Sequence, residues 1–219
     1  MSDVSGTEDT AIPLDISAAL TDTDGSESLS VTISGVPDGA ILKSGDTVLT
    51  VENGEITFAD GVIPDGLTIT ASPNSNDDFA LNVSATSTES STGDQSTVTS
   101  TLNVAVAGDA DAPTVTTVNA SGVEETPIPL EVGVEMTDTD GSESITKLEV
   151  TGAPTGTVFT DGVNTVTAWN GTADITALNL NTLSMTPGAN HDTDFTLTFN
   201  ATSTEADSGD TAVGAATLD

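Results

Sequence analysis

Ile12-Pro-Leu-Asp-Ile-Ser-Ala-Ala-Leu-Thr-Asp-Thr-Asp-Gly-Ser-Glu-Ser28 places an apolar residue at every second position from 12 to 20. It then packs three carboxylates and a glycine into the six positions 22–27. The stretch returns as Ile128-Pro-Leu-Glu-Val-Gly-Val-Glu-Met-Thr-Asp-Thr-Asp-Gly-Ser-Glu-Ser144, with the octet Thr21–Ser28 repeated letter for letter 116 residues later. Period-two alternation is the mark of a strand with one buried face. Each copy therefore reads as a strand that runs into an acidic loop.

The repetition extends in both directions. In one register Glu8 falls on Glu124, Asp78-Phe79 on Asp194-Phe195, Ala85–Glu89 on Ala201–Glu205, and Gly93-Asp94 on Gly209-Asp210. One extra residue enters after the second octet, so that Gly35 and Pro37 match Gly152 and Pro154, and it is compensated before the Asp-Phe pair. Self-similarity at a fixed long period marks tandem modules. It predicts a first repeat over 1–108, an acidic linker over 109–113 and a second repeat over 114–219. The second copy has no counterpart of Val104–Ala107, so its lower cluster is expected to be an incomplete site. The upper cluster of the first copy is likewise expected to lack an upstream linker.

Alternating runs recur at Leu29, Val31 and Ile33, at Phe79, Leu81, Val83 and Ala85 with Phe195, Leu197, Phe199 and Ala201 matching them, and at Leu102, Val104 and Val106. Asn53-Gly54 and Asn170-Gly171 stand between short runs, where a type I′ hairpin wants two residues that tolerate positive φ. About seven short strands per copy and no helical period predict an all-β chain of two antiparallel sandwiches joined end to end.

The chain carries 35 acidic residues against two lysines, Lys43 and Lys147, with no arginine, for a formal charge of −33. No basic face can be assembled for nucleic acid or for an anionic membrane. There is no cysteine, hence no disulfide, thiol nucleophile or zinc-thiolate site. No leader and no membrane-length apolar run is present, so the chain reads as an excerpt of a longer one. An enzyme is not expected. A glycosidase could use paired carboxylates, but it would not be duplicated in modules without aromatic subsites.

The octets are suited to Ca²⁺, which takes six to eight oxygen ligands from carboxylates, carbonyls and water. Asp22, Asp24 and Glu27 in one copy and Asp138, Asp140 and Glu143 in the other supply them. The flanking strands and the short acidic spacing do not suit an EF-hand. A transition metal is a poor fit to a chain whose sole imidazole is His191. Alternating the strands up and down sends Glu205 or Asp207 to the upper end of the second copy, with Glu8 and Asp78 at the lower end of the first. Glu124, Asp192 and Asp194 go to the lower end of the second copy. Glu8, Asp78, Asp109, Asp111, Asp138 and Asp140 are thus expected to gather around one or more Ca²⁺ ions at the linker. His191 reads as a surface loop residue and Trp169 as a packed hairpin residue.

The Asp-x-Asp-Gly loop, the Phe-x-Leu-x-Val-x-Ala-Thr-x-Thr-Glu strand, the Ser/Thr-Gly-Asp loop and the acidic linker ending in Pro113 resemble the cadherin-like, immunoglobulin-type tandem repeats of giant bacterial RTX adhesins. The resemblance covers essentially the whole chain, although the linker Gly108-Asp-Ala-Asp-Ala-Pro113 is poorer in acids than the Asp-x-Asn-Asp form of cadherins. It implies Ca²⁺-rigidified extender modules of a secreted protein at the bacterial cell surface. Their partners would be neighbouring repeats of the same chain in a monomeric rod, without nucleic acid or membrane insertion. A Ca²⁺-dependent module that binds a carbohydrate or protein ligand is the alternative, with Trp169 or Phe159 beside an openly coordinated ion.

Overall fold

Alternating apolar residues settle into strands where a second sheet covers their inner face. The computed structural model describes residues 1–189 and 191–219. Its backbone divides into two compact units, Met1–Gly108 and Asp109–Asp219, so residues 109–113 group with the second unit. Among the described residues there is no α-helix, only a single 3₁₀ turn at Leu180–Thr182.

In the first unit, β1 (Val4–Thr7), β9 (Gln95–Ala107), β8 (Phe79–Glu89), β3 (Glu27–Ser34) and β6 (Glu55–Phe58) lie side by side in one sheet. A second sheet holds β2 (Ile12–Pro13), β7 (Leu67–Thr70), β4 (Ile41–Ser44) and β5 (Thr47–Val48). Val31, Ile33, Leu81 and Leu102 of the first sheet and Ile12, Leu42 and Ile69 of the second form one buried core. Every pairing is antiparallel except β1 with β9, which run parallel. At the crossing from β1 to β2 a Cβ on Gly6 would lie 2.5 Å from Ile12 Cγ1, so the chain passes there on glycine.

The second unit has the sheet β16 (Thr172–Asp174), β13 (Glu143–Thr151), β18 (Leu197–Glu205), β19 (Thr211–Leu218). Its second sheet holds β11 (Ile128–Pro129), β17 (Ser184–Thr186), β14 (Val158–Thr160) and β15 (Thr165–Thr167). A ribbon pairs β10 (Thr114–Val118) with β12 (Glu131–Glu135). Phe159, Phe199, Ile175, Leu197 and Leu218 lie in a core of this unit's own.

The Ile12–Leu20 stretch departs from the expected continuous strand. Ile12, Leu14 and Ile16 are buried and the residues between them exposed, but only Ile12–Pro13 joins a ladder. Its counterpart Glu131–Glu135 is a full strand because β10 pairs with it, and no segment of the first unit plays the part of β10. The extra residue of the second copy has a clear place. The β3–β8 ladder is regular from Glu27↔Glu89 to Ser34↔Asn82, whereas β13–β18 shifts register between Ile145 and Lys147. Thr146 is thus a β-bulge, which absorbs one residue without turning the buried face outward.

Both Asn-Gly pairs turn as expected. Asn53 and Gly54 have φ of 53° and 75°, Asn170 and Gly171 have 51° and 87°, and the flanking pairs Glu52/Glu55 and Trp169/Thr172 exchange backbone hydrogen bonds.

Candidate metal centre in the second unit

Each octet curls on its own carboxylates. Asp22 Oδ1 accepts the Asp24 N–H at 3.0 Å and Asp24 Oδ1 the Ser26 N–H at 2.8 Å. Asp138 Oδ1 accepts the Asp140 N–H at 2.8 Å and Asp140 Oδ1 the Ser142 N–H at 2.7 Å. Aspartates bonding two residues ahead form successive Asx turns, which gather the loop beneath the sheet end. The loop then enters β3 or β13 with a glutamate directly opposite another: Glu27 faces Glu89, and Glu143 faces Glu205. Like charges in that arrangement repel at a Cβ separation of about 5 Å. Both copies keep the arrangement nonetheless.

The two copies resolve it differently. In the first unit Glu89 is partly exposed and well supplied with donors: Oε2 takes the Ser26 hydroxyl at 3.0 Å, and Oε1 takes the Ser91 N–H at 3.1 Å and hydroxyl at 2.8 Å. The Ser91 N–H, then its hydroxyl, then that of Ser26 hold the Glu89 carboxyl below its ordinary 4.5. In the second unit Asp207 stands where Ser91 stood, and the Ser142 hydroxyl turns to Asp138 Oδ2 at 2.9 Å. Glu205 is 0% exposed and Asp138 3%. Glu205 Oε1 receives only the long Asp207 N–H bond of 3.3 Å, and Glu205 Oε2 is buried with no hydrogen-bond partner.

The linker residues close over this centre inside the second unit. The Asp111 N–H donates to Glu143 Oε1 at 2.5 Å, the Ser203 hydroxyl to the Asp111 carbonyl at 2.5 Å, and the Thr137 hydroxyl to the Ala112 carbonyl at 2.6 Å. Glu143 Oε2 is also buried without a partner. Burial pushes the Glu143 carboxyl up despite the Asp111 N–H, and the charges of Asp138, Asp111 and Glu205 push the same way. Four carboxylates therefore form one electrostatic group. A buried carboxylate without a counter-charge is costly. The one ion pair among the described residues, Lys147 with Glu149 at 2.8 Å, lies elsewhere on the surface. Partnerless buried oxygens in an all-oxygen donor set suit a hard cation such as Ca²⁺ and leave nothing for a softer metal.

A pH dependence follows for the cation-free protein. The Glu143 carboxyl binds its proton more tightly folded than unfolded, so its ionisation opposes folding. Stability is gained as pH falls through the raised folded value toward 4.5. Asp161 and Asp174 are held below 3.8, the first by the N–H groups of Asn164, Asn179 and Val163 and the second by the Thr176 hydroxyl and N–H. Their contribution is lost as pH falls through those lower values. In chelator the second unit is expected to melt higher at about pH 5 than at about pH 7 and lower again near about pH 3. A melting temperature that falls steadily over that range would contradict this assignment.

The other expected ligands are described within their own units. Asp22, Asp24, Asp109, Asp140 and Asp207 are exposed, and Glu27 is partly so. In the first unit Asp78 Oδ1 accepts the Val106 N–H at 2.8 Å and the Glu8 N–H donates to the Ala107 carbonyl at 2.9 Å, which ties both to the end of β9. Glu124, Asp192 and Asp194 line one groove of the second unit. His191, read as a surface residue, is half-buried, its ring edge-on to Phe195 with centroids 5.4 Å apart. Trp169, read as packed, is 71% exposed, and Phe159 is buried. Trp169 bonds Thr172, which pairs with Thr151 at the end of β13 remote from Glu143. The nine residues from Glu143 to Thr151 span about 26 Å of strand, so Trp169 stands away from the acidic centre. Ser203 and Thr137, which fasten the linker, escaped the sequence reading. The identical Ala-Thr-Ser-Thr-Glu runs were the available signal for Ser203.

No protein-family model matches the chain, and no curated protein does. Among solved structures, a three-repeat fragment of Drosophila N-cadherin (EC1-3) is similar at 10% identity over 100% of this chain and 63% of its own, with a TM-score of 0.26. The four-repeat fragment EC1-4 is similar at 12% identity, 99% and 47% coverage, and a TM-score of 0.33. The D00-D0 domains of intimin are similar at 11% identity, 99% and 93% coverage, and a TM-score of 0.28. The chain spans less than two thirds of both cadherin fragments.

Proposed function

We propose that the chain is a pair of extender modules from a large bacterial surface adhesin of the RTX type. They are rigidified by Ca²⁺ and hold ligand-binding parts of that protein away from the cell. The observation that carries this reading is buried Glu205 set opposite partly exposed Glu143 in the second unit, each with one buried carboxylate oxygen, Oε2, that has no hydrogen-bond partner. Asp111, Asp138, Glu143 and Glu205 are the residues that would hold the ion, with Asp109 and Asp140 beside them. Bound there, Ca²⁺ would bring positive charge to Glu143 and Glu205, whose Oε2 atoms have no hydrogen-bond partner.

The chain's own groups do the rest. The Asp138 and Asp140 turns fix the loop, the Ser203 and Thr137 hydroxyls pin the linker carbonyls, and the Asp111 N–H orients Glu143. An ion at this point would stiffen the path by which one repeat enters the next. A charge of −33 supports the same reading, because a chain so one-sided repels itself unless cations gather on it. The alternative of a Ca²⁺-dependent lectin loses its aromatic platform, since Trp169 stands away from the acids and Phe159 is buried.

Small-angle scattering in Ca²⁺ and in chelator tests the extender role. Ca²⁺ is expected to give the longer particle with the narrower spread of dimensions. A profile that chelator leaves unchanged would overturn the reading.

A further inference from the structure

The two Asn-Gly turns occupy matching places in their units, but their surroundings differ. In the first, the Gly54 carbonyl accepts the Val36 N–H at 3.1 Å, and a Cβ on Gly54 would lie 3.0 Å from the Val36 carbonyl oxygen. That turn is fastened to the strand end beside it. The residues that close it are Glu52 and Glu55, both exposed. Asn53 therefore sits between two carboxylates.

The second turn has neither restraint. Ala153 stands where Val36 stood, and the Gly171 carbonyl accepts no such bond among the described residues. A Cβ on Gly171 would meet nothing within 4 Å. Trp169 and Thr172 close the turn with backbone bonds of 2.9 and 3.1 Å, the Thr172 hydroxyl adds one to the Trp169 carbonyl at 3.2 Å, and neither residue is charged. Asn170 is exposed.

We propose that Asn170 is a self-modification site, where the side-chain amide is lost to give aspartate and isoaspartate, while Asn53 is protected from the same reaction. The Gly171 amide nitrogen gives up its proton to water or hydroxide and attacks Asn170 Cγ. The Cγ–Nδ2 bond breaks, ammonia leaves with a proton from water, and a succinimide ring closes over positions 170 and 171. Water then opens the ring. Cleavage at Cγ gives aspartate, and cleavage at the main-chain carbonyl gives isoaspartate. One water is consumed and one ammonia released, with no oxidant or cofactor. Glycine after the asparagine leaves the attacking nitrogen unshielded.

Both differences between the turns act on this step. The turn must open before the nitrogen reaches Cγ, and local opening is harder where Gly54 is tied to Val36. Ring closure also passes through an anion, which Glu52 and Glu55 repel. In the isoaspartyl product the main chain gains a methylene inside a two-residue turn. Trp169 and Thr172 then no longer pair in register, and a new carboxylate stands beside the exposed indole.

The test holds the whole chain at about pH 8 in low salt, where surface charges are least screened, and follows both turns by peptide mass spectrometry. Conversion at position 170 is expected to outrun that at position 53 by about tenfold, the combined effect of one turn hydrogen bond and two nearby charges. Hydroxylamine is expected to trap the succinimide at position 170. Glu52→Gln together with Glu55→Gln is expected to speed conversion at position 53 several-fold and leave position 170 unchanged. Conversion at 53 as fast as at 170, or none at 170, would overturn the proposal. A rate at 53 unmoved by the double variant would overturn the role given to the two glutamates.

Discussion

Stripping divalent cations is expected to lower the melting temperature of the second unit by roughly 10–20 °C relative to 10 mM free Ca²⁺, while the first unit moves by only a few degrees. The size follows from linkage. An ion bound at a Kd near ~10⁻⁴ M, as in extracellular modules, stabilises by about 2.7 kcal/mol at a hundredfold excess. A domain of this size shifts by roughly 4–8 °C for each kcal/mol. The asymmetry follows from the two octets. Glu89 has the Ser26 and Ser91 donors and some access to water, whereas Glu205 Oε2 and Glu143 Oε2 have neither. Calorimetry of the whole chain reads both transitions, and equal shifts in the two would contradict the asymmetry.

Glu205→Gln is expected to change the sign of that behaviour. In chelator the variant should melt higher than the parent, by about 1–3 kcal/mol of stability, because a neutral amide replaces a buried carboxylate set opposite Glu143. In 10 mM Ca²⁺ it should melt lower than the parent, having lost about the same 2.7 kcal/mol of ion linkage. The two melting curves therefore cross as Ca²⁺ is added. Glu89→Gln in the first unit is the control. Its carboxylate already accepts three hydrogen bonds, so the amide should gain nothing in chelator. A Glu205→Gln variant that is weaker than the parent in both conditions would mean the carboxylate serves the fold rather than an ion.

Much of this was legible in the sequence because it depended on local rules. Period two marked the core faces at Val31/Ile33 and Leu197/Phe199, and Asn-Gly marked both hairpins. The repeated octet marked the two acidic loops, whose Asx turns are visible only in the structure. Even the one-residue insertion was visible, although only the ladder showed it to be a bulge at Thr146. What escaped depended on partners distant in sequence. Ile12–Leu20 has the pattern of a strand, but hydrogen-bonded pairing needs a neighbour, and only the second copy has β10 to provide it. Trp169 reads as a packed hairpin residue beside its Asn-Gly turn, yet at that hairpin end it is exposed. At the acidic centre the aspartates were evident from spacing. The decisive difference between the copies was not, because it rests on Asp207 in place of Ser91 and on the Ser203 hydroxyl reaching Asp111 across 92 residues.

The central claim is that the second octet and the linker residues form a Ca²⁺ centre around Glu205. Its most direct test is a Ca²⁺ titration of the chelator-stripped chain followed by backbone amide NMR. Saturable shifts are expected to concentrate at Asp111, Asp140, Ser142 and Glu205, with weaker changes at Asp24 and Ser26. Shifts scattered evenly over the acidic surface, or none at Asp111 and Glu205 at millimolar Ca²⁺, would contradict it.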